Sequence, residues 1–500
     1  MNNKQIIIYG AGALGRLCFE LFQNFKYEVS FFIDQFLSEQ EILGRPVYRI
    51  EDAPSKNLPV YICVSYENHK IKKQLQKAGF SQVNYLKDFE VHKLSQKEAE
   101  ILNKKTLENL KKVIINTKIK EIILVIDTKQ EGGAEEYFKE FTNKLENKEG
   151  ILIIKNFPLW LSNLELLNFD YLFRGRKINS GVLYDLKILE EIVSLFGIKK
   201  VIINRIHTYP FTKILSFLTQ LKKFKNLFIT YNLHDFLCIC PTIFLVNFEG
   251  FFCNIPGNRD YCQKCLNMNK WIEIKKWLQL NKNFNKKLIE AEGKLINDIN
   301  LWRKKFGDFF KEIDKVVCFS ESSKEILLRV YPFLSKKIKV KPHEVTWVRA
   351  VNFKKKGSDF NIGVLGDITF VKGSEVILSM VEYLKKKKLN NIKIHIFGRL
   401  INNKTIEKNK FLVLHGPYKK EALPELMEKN EIDIIFIPSI CPETFCYTVE
   451  EAIKMELPVA VFDIGAPSER VKKYKKGIIL DYNRRYEPEY ILTQIYNKMN

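Results

Sequence analysis

The chain has 500 residues, 46% of them hydrophobic and 28% charged, and a formal net charge of +23. That composition excludes an intrinsically disordered chain, and no uninterrupted apolar run reaches the roughly 18 residues that suggest a membrane helix. The basic balance suits anionic partners such as phosphorylated ligands or an acidic membrane face. The lysine runs at 354–356, 385–388 and 472–476 are scattered, however, and neither a basic zipper nor an aromatic ribonucleoprotein motif is present, so no nucleic-acid partner is expected.

MNNKQIIIYGAG leads straight into a strand and a glycine turn, so no export signal is expected and the chain is assigned to the cytoplasm. Residues 1–90 read as a small α/β unit. Strand, glycine turn and helix follow one another in QIIIYGAGALGRLCFELF, and YEVSFFID and LPVYICVS are further strands. Gly10, Gly12 and Gly15 form G-x-G-x-x-G, and Asp34 ends the next strand at about the spacing of a ribose-binding acid. NAD is the obvious ligand for such a turn, but the unit is short, lacks a second mononucleotide half and shows no catalytic set for hydride transfer. Residues 91–118 form a linker helix with apolar residues at helical spacing, and Ser95 with Glu98 fits a capping box.

Residues 119–340 restart the pattern. IKEIILVID is a strand, and Gly132 and Gly133 in the turn TKQEGGAEEY let a backbone approach a ligand closely. GILIIKNF, KKVIINRI and NLFITYNL are further strands, with a helix over 211–224. His207 and His234 each follow a strand; the alternative for either is a strand-end histidine bonded to backbone. Five of the ten cysteines fall between 238 and 265. In a reducing compartment such a cluster suggests metal more than disulfides. Cys240, Cys253, Cys262 and Cys265, in the insertion 238–270, are candidate ligands of a structural zinc ion, with Cys238 as an extra thiol and partly buried reduced thiols as the alternative.

Residues 341–480 carry a third α/β unit, with strands FNIGVLGDI, IKIHIFGRL, FLVLHGP, IDIIFIP, PVAVFDIG and GIILD, and 481–500 form a C-terminal helix. The fold class is therefore α/β, three Rossmann-like units in series, with ligands expected at the carboxyl ends of strands.

In the third unit PETFCYTVEEA places Glu443 in the loop after a strand and Glu451 inside the next helix. Eight helical residues rise about 12 Å, too far for two carboxylates to flank one bond. Between them a helix begins near Cys446–Thr448, where free N–H groups favour phosphate. The spacing suits a long ligand with hydroxyls at both ends and phosphates between. The bland alternative makes Glu443 a helix cap and Glu451 a solvated surface residue. Lys372 and Gly373 open another helix after a strand ending in Gly366, where an ammonium can reach a diphosphate.

EGGAEEY, GDITFVKG and PSICPETFCYTVEEAIKMELPVAVFDIGAPSERV, with LHDFLCICP, WRKKF and VVCFSESSKEILLRVYP, resemble family-4 glycosyltransferases of the GT-B fold, in a bacterial branch of surface polysaccharide assembly; the likeness spans 119 to about 480. It implies two Rossmann-like domains, one for acceptor (119–340) and one for nucleotide-sugar donor (341–480). It implies retention of anomeric configuration and no metal at the reacting centre. Carried onto this chain, Glu451 would hold the ribose, Glu443 the sugar hydroxyls and Lys372 the leaving diphosphate. His234 would face the cleft, and Gly132, Gly133, Gly366, Gly373, Thr444 and Phe445 would line the donor site. Where the family has arginine after the first glycine of GDITFVKG, this chain has Asp367, and Arg399 and Arg349 are candidates to replace the missing cation. His343 is expected to be structural.

The first unit, through IYGAG, FIDQF and GRPVY, resembles the N-terminal domain of sialic-acid-type sugar acetyltransferases, which implies nucleotide or nucleotide-sugar binding by Gly10, Gly12, Gly15 and Asp34. The expected partners are a nucleotide-sugar donor, a glycan or lipid-linked acceptor and the anionic inner face of a membrane. The rival readings are a nucleotide-sugar-modifying enzyme, an epimerase or NAD-dependent, and a non-catalytic nucleotide-sugar-binding scaffold.

Overall fold

The computed structural model describes residues 4–499 apart from 12, 25–26, 36–39, 65–67, 86–95, 120, 129–132, 145–148, 157–165, 208, 256–258, 270–285 and 402–409. Gly12, Gly132 and Ser95 of the expected capping box lie outside the described residues. The chain divides into two compact units, 1–229 with 277–292 and 230–276 with 293–500.

The first unit begins with β1 (Lys4–Tyr9), β2 (Tyr27–Ile33), β3 (Glu41–Ile42), β4 (Arg45–Tyr48), β5 (Val60–Ile62) and β6 (Val83–Tyr85). They form a sheet in the order β3-β4-β2-β1-β5-β6, parallel except for the β3–β4 pair. The apolar run Ile6–Ile7–Ile8 is buried on both faces, as a central parallel strand requires. Gly10 ends β1 at φ +100°. A Cβ on Gly15 would lie 1.7 Å from the Gly10 carbonyl oxygen, so glycine lets the helix Ala13–Asn24 pack against the turn.

A helix, Gln96–Asn116, lies within the segment 91–118 expected to be a linker helix. Its buried Asn103 amide pairs with both backbone groups of Tyr184, donating to the carbonyl at 2.7 Å and accepting from the N–H at 2.8 Å. Ala99 and Tyr184 join the apolar core of the first sheet. A second set of strands follows in this unit, β7 (Glu121–Thr128), β8 (Glu149–Asn156), β9 (Leu166–Phe173), β10 (Arg176–Tyr184) and β11 (Lys200–Ile203), in the order β10-β9-β8-β7-β11. β9 and β10 are an antiparallel hairpin that sequence reasoning did not anticipate. Arg174 and Gly175 turn it with φ of 50° and 70°, the left-handed pair of a type I′ hairpin.

The boundary between the units falls inside β12 (Phe228–Asn232). The second unit contains β12 paired in parallel with β13 (Lys315–Cys318), and β13 with β14 (Ile338–Val340). It also contains the parallel sheet β17-β16-β15-β18-β19-β20, built from β15 (Phe360–Leu365), β16 (Ile392–Phe397), β17 (Leu412–Gly416), β18 (Ile434–Ile437), β19 (Val459–Phe462) and β20 (Gly477–Leu480). β15, β18 and β19 are buried at every position. Their apolar side chains split between the two faces, Val364, Phe436 and Phe462 on one and Leu365, Ile437 and Val461 on the other. Helices such as Ser374–Lys387 and Tyr447–Lys454 cover those faces, which leaves the loops at the carboxyl ends of β15, β18 and β19 to build a site. Among the described residues no helix is long and apolar enough to cross a membrane.

Candidate functional site

Lys372 and Glu443 meet at the carboxyl ends of β15 and β18. Gly366 leaves β15 at φ +93°, and the following turn closes through Lys372 N–H to Thr369 O (3.1 Å) and Ser374 N–H to Thr369 O (3.0 Å). Gly373 then starts the helix Ser374–Lys387 at φ +88°, and a Cβ there would lie 2.1 Å from the Pro438 carbonyl oxygen. The loop after β18 thus presses on the helix start, aided by Ile440 N–H donating to Val371 O at 3.0 Å. Packed this way, Lys372 Nζ forms an ion pair with Glu443 Oε2, while Ser439 Oγ donates to Glu443 Oε1 at 2.5 Å. The Glu443 side chain is only 9% exposed and that of Lys372 36%, so the carboxylate is the more deeply buried partner. Burial pulls the Lys372 ammonium down, but the adjoining Glu443 carboxylate outweighs it and raises the pKa above the lysine range.

The next helix begins at Tyr447, within the stretch the sequence indicated, and Cys446 caps it without a side-chain hydrogen bond. Burial and Glu443 push the Cys446 thiol up to about 12, so it is no nucleophile at neutral pH. Gly465, after β19, backs the loop: a Cβ there would lie 2.7 Å from Pro442 Cα.

Glu451 is 2% exposed, which overturns the surface reading. Its Oε1 accepts the indole N–H of Trp347 at 2.8 Å. Trp347 lies 5.8 Å from the Tyr447 ring, and Lys420 Nζ sits 4.7 Å from the Trp347 centroid. The neighbouring Glu450, also buried, is held by Arg470. Sequence reasoning missed Trp347. Its only signal was a lone tryptophan in the polar link between two α/β units.

His234 follows β12 and is bound into the same unit. Its carbonyl accepts Thr444 Oγ1–H at 2.9 Å, its ring stacks on Phe319 at 4.6 Å, and it lies parallel to His343 at 6.1 Å. Thr444 is buried, and its own carbonyl accepts Ser320 Oγ–H at 2.9 Å, so the residue fastens the loop to the β13 segment. Phe445 meets His343 edge-on at 4.5 Å. His343 is the middle of this stack, with Tyr447 parallel at 5.1 Å, and burial lowers its pKa to about 3. The neutral imidazole thus packs as one ring among Phe319, Phe445 and Tyr447.

Asp367 pairs with Arg399, Nε at 3.1 Å and Nη2 at 2.5 Å. A Cβ on Gly398 would lie 2.1 Å from Gly366 O, so the loops after β15 and β16 run in contact and carry the guanidinium to the glycine turn. Arg349 is held instead by Glu428, at 2.7 and 3.1 Å.

In the first unit Gly133 is the exposed first residue of the helix Gly133–Lys144. His207 Nε2 stands 3.5 Å from Thr128 Oγ1, its pKa lowered to about 4 by burial and by Arg205. Arg205, which sequence reasoning passed over, is buried and bidentate to Asp127 (2.7 and 3.2 Å) at the ends of β11 and β7. Gly10, Gly15 and Asp34 come together: Asp34 Oδ2 accepts the Ala11 N–H at 2.8 Å, so the acid braces the glycine turn.

The zinc expectation finds no support. Cys240, Cys253, Cys262 and Cys265 border one cavity of about 20 Å³, but the Arg303 guanidinium borders it too. Burial raises the Cys240 and Cys262 thiols and pushes Cys253 up to about 12. Among the described residues no group of three or more His, Cys, Asp or Glu is placed to hold a metal ion. Cys238 is buried apart from them, its carbonyl accepting the Tyr331 hydroxyl at 2.6 Å.

Residues 349–487, which include Lys372, Glu443 and Glu451, match the family described as glycosyl transferases group 1. A search of curated proteins returns no match. Among solved structures the chain is similar to Anabaena Alr3699/HepE in complex with UDP-glucose (12% identity, 76% of this chain and 92% of that one, TM-score 0.44). It is also similar to a glycosyltransferase from Rickettsia africae (16% identity, 76% and 88%, TM-score 0.44). A third is the pneumococcal O-GlcNAc transferase GtfA in complex with UDP and GlcNAc (11% identity, 100% and 93%, TM-score 0.39).

Proposed function

We propose that the chain is a retaining, family-4-like glycosyltransferase of the GT-B type that moves a hexose from a nucleotide-sugar to a glycan or lipid-linked acceptor in cell-surface polysaccharide assembly. Residues 119–340 would serve the acceptor and 341–480 the donor. The observation that carries the reading is the Lys372–Glu443 pair at one end of a short loop and helix whose other end holds buried Glu451. A carboxylate is a strong acceptor-only partner for paired hydroxyls. Glu443 would take those of the sugar and Glu451 those of the ribose. The match over 349–487 supports the same assignment.

Departure of a nucleoside diphosphate builds negative charge. Lys372, the N–H groups opening the helix Tyr447–Lys454 and the Arg399 guanidinium beside Gly366 would stabilise that charge. Arg399 would stand in for the arginine absent at position 367. In this scheme donor binding exchanges the Lys372–Glu443 ion pair for two ligand contacts, so the pair holds both groups in place until then. His234 would face the donor sugar or acceptor. The net charge of +23 would hold the enzyme at the inner face of a membrane, where lipid-linked acceptors reside.

The test is a thermal-shift panel of nucleotide-sugars on the full chain, followed by release of nucleoside diphosphate with and without acceptor extract. Acceptor-dependent release, lost in Glu443→Gln, is expected. Because Trp347 donates to Glu451, the bound donor should also change tryptophan fluorescence. Stabilisation by none of the panel would sink the reading. A nucleotide-sugar that binds without turnover, equally in wild type and Glu443→Gln, would favour the scaffold.

A further inference from the structure

A buried cation in the second unit is left half used by the fold. Arg485 lies after β20, between the 3-10 helix Tyr482–Arg484 and the helix Pro488–Met499, and is 3% exposed. Its Nη1 donates to the Tyr482 carbonyl at 2.8 Å. Its Nε and Nη2 are buried and have no hydrogen-bond partner among the described residues. Those two atoms form one edge of the guanidinium, and their N–H bonds make the fork that fits a carboxylate. Elsewhere in the chain this edge is filled. Asp127 takes that of Arg205, Asp367 that of Arg399 and Glu450 that of Arg470. Charged donors left buried and unpaired are costly, and one bound carboxylate would relieve both.

Aromatic rings wall this fork. The guanidinium carbon of Arg485 lies 4.2 Å from the Phe251 centroid, 4.4 Å from that of Tyr482 and 5.0 Å from that of Tyr486. Ring faces favour the cation but offer no acceptor in the guanidinium plane. Phe251 and Tyr486 are 39% and 40% exposed, so the cage reaches the surface through these two rings. Burial raises the Tyr486 phenol, Arg485 opposes that shift and Glu375 adds to it. Glu375 is thus an acid felt at the cage, yet it takes neither unpaired donor.

The cage stands one loop away from Lys372 and Glu443. Tyr482 Oη donates to the Ile440 carbonyl at 3.1 Å and accepts the Phe252 N–H at 2.8 Å. Ile440 N–H holds the carbonyl of Val371, the neighbour of Lys372, and Ile440 lies in the loop that carries Glu443. Asn247 Oδ1 fixes the turn before Phe252 by accepting the N–H groups of Glu249 and Phe251 at 3.1 and 2.9 Å. Phe251 belongs to the stretch 119–340 that serves the acceptor in the reading above, and Arg485 lies beyond the donor stretch 341–480. The donor's phosphates and hydroxyls have other partners in that reading, which leaves this fork to the acceptor. One guanidinium balances one negative charge, whereas a dianionic phosphate would leave unmatched charge among apolar rings. Exposed aromatic faces suit the apolar face of a sugar ring.

We propose that Arg485 is a specificity-determining residue that binds the carboxylate of an acidic sugar, of the hexuronic acid class, in the acceptor. Nε and Nη2 donate to the two carboxylate oxygens, Tyr486 turns aside to admit the sugar, and Phe251 packs on its ring. That the ligand is an acceptor rests on the glycosyltransferase reading; the carboxylate fork does not.

The experiment uses the full chain without nucleotide-sugar and four probes: methyl glucuronide, methyl glucoside, acetate and inorganic phosphate. Calorimetry gives the affinities. The NMR signal of the Arg485 Nε–H, identified as the one missing in Arg485→Lys, gives the location. Methyl glucuronide is expected to bind saturably, about tenfold or more ahead of the other probes, and to shift that signal downfield as a new hydrogen bond to a carboxylate does. Arg485→Lys keeps the charge and loses the fork, so glucuronide binding should weaken about tenfold to a hundredfold. Should that variant not fold, the ranking of the four probes on wild type decides alone. With the nucleotide-sugar that the thermal-shift panel selects, release of nucleoside diphosphate should be faster with the glucuronide than with the glucoside. No release with either, beside an intact shift at Arg485, would sink the transferase reading and support the fork. Equal binding of glucuronide and glucoside, acetate or phosphate binding as tightly as glucuronide, or an unmoved Arg485 signal would each overturn the proposal.

Discussion

Two glycine turns in this chain share a topology and differ in what their acidic neighbour does. In the first unit β1 ends at Gly10, and in the second β15 ends at Gly366; both glycines have φ near +95° and a helix follows each. At the first turn the acid, Asp34, bonds to the turn's own Ala11 N–H and borders an open cavity. At the second the acid, Glu443, arrives from the loop after β18 and takes the turn's lysine. A carboxylate spent on backbone stiffens a loop. A carboxylate paired to a side-chain ammonium forms a contact that a ligand can exchange. The strand–turn–helix frame is therefore common property, and function rests on which group the acid meets.

The largest effect that would sharpen this comparison is steric. Gly373→Ala sets a Cβ against the Pro438 carbonyl at a left-handed backbone position, and should cost at least about 3 kcal/mol by denaturant unfolding. Gly15→Ala should do comparable damage to the first unit through Gly10. If either variant melts like wild type, the turn is not as tightly packed as described.

Next in size is Glu443→Gln, which keeps the shape and removes the charge. Transfer should fall about 100-fold or more, whereas Asp34→Asn in the other turn should leave transfer within about threefold and lower only the melting temperature. Equal losses of transfer in both would erase the distinction between the turns. Arg399→Ala removes the guanidinium beside the Gly366 turn and should raise the donor KM about tenfold with a smaller change in kcat; Arg349→Ala, whose partner Glu428 lies in the helix Leu423–Lys429 and not at that turn, should not.

The smallest expected effect is on pH dependence. Burial lowers His343 to about 3 and His395 to about 4, the latter with help from His415. The unfolded chain, with histidine at its ordinary 6.5, binds more protons than the folded one between those values and 6.5. The stability from keeping both rings neutral is thus complete above about 6.5 and is lost as pH falls toward the folded values, by up to about 1.4 kcal/mol per pH unit for each. Urea unfolding from pH 7 to 5 would show the slope, and His343→Phe should reduce it.

Much of this protein was legible in one dimension. Near-continuous apolar runs marked the buried parallel strands, because such a strand is covered on both faces and has no polar side to display. Glycines at strand ends marked the turns, since only they accept both a left-handed φ and a carbonyl at contact distance. The β9–β10 hairpin was missed although Arg174–Gly175 carried its turn signal, because an α/β pattern directs attention to helical crossovers. At the site, the acids and the lysine were named from spacing and resemblance. That Glu451 is buried under Trp347, that Arg399 and not Arg349 is the candidate that lies beside Asp367 and that Arg205 is locked to Asp127 could not be. Those pairs join residues about 30 to 100 positions apart, and which side chains meet across such separations depends on how strands stack and loops press together. Spacing along the chain determines which local structures form; the partner each charge finds, and with it the chemistry it can do, is decided by the packing.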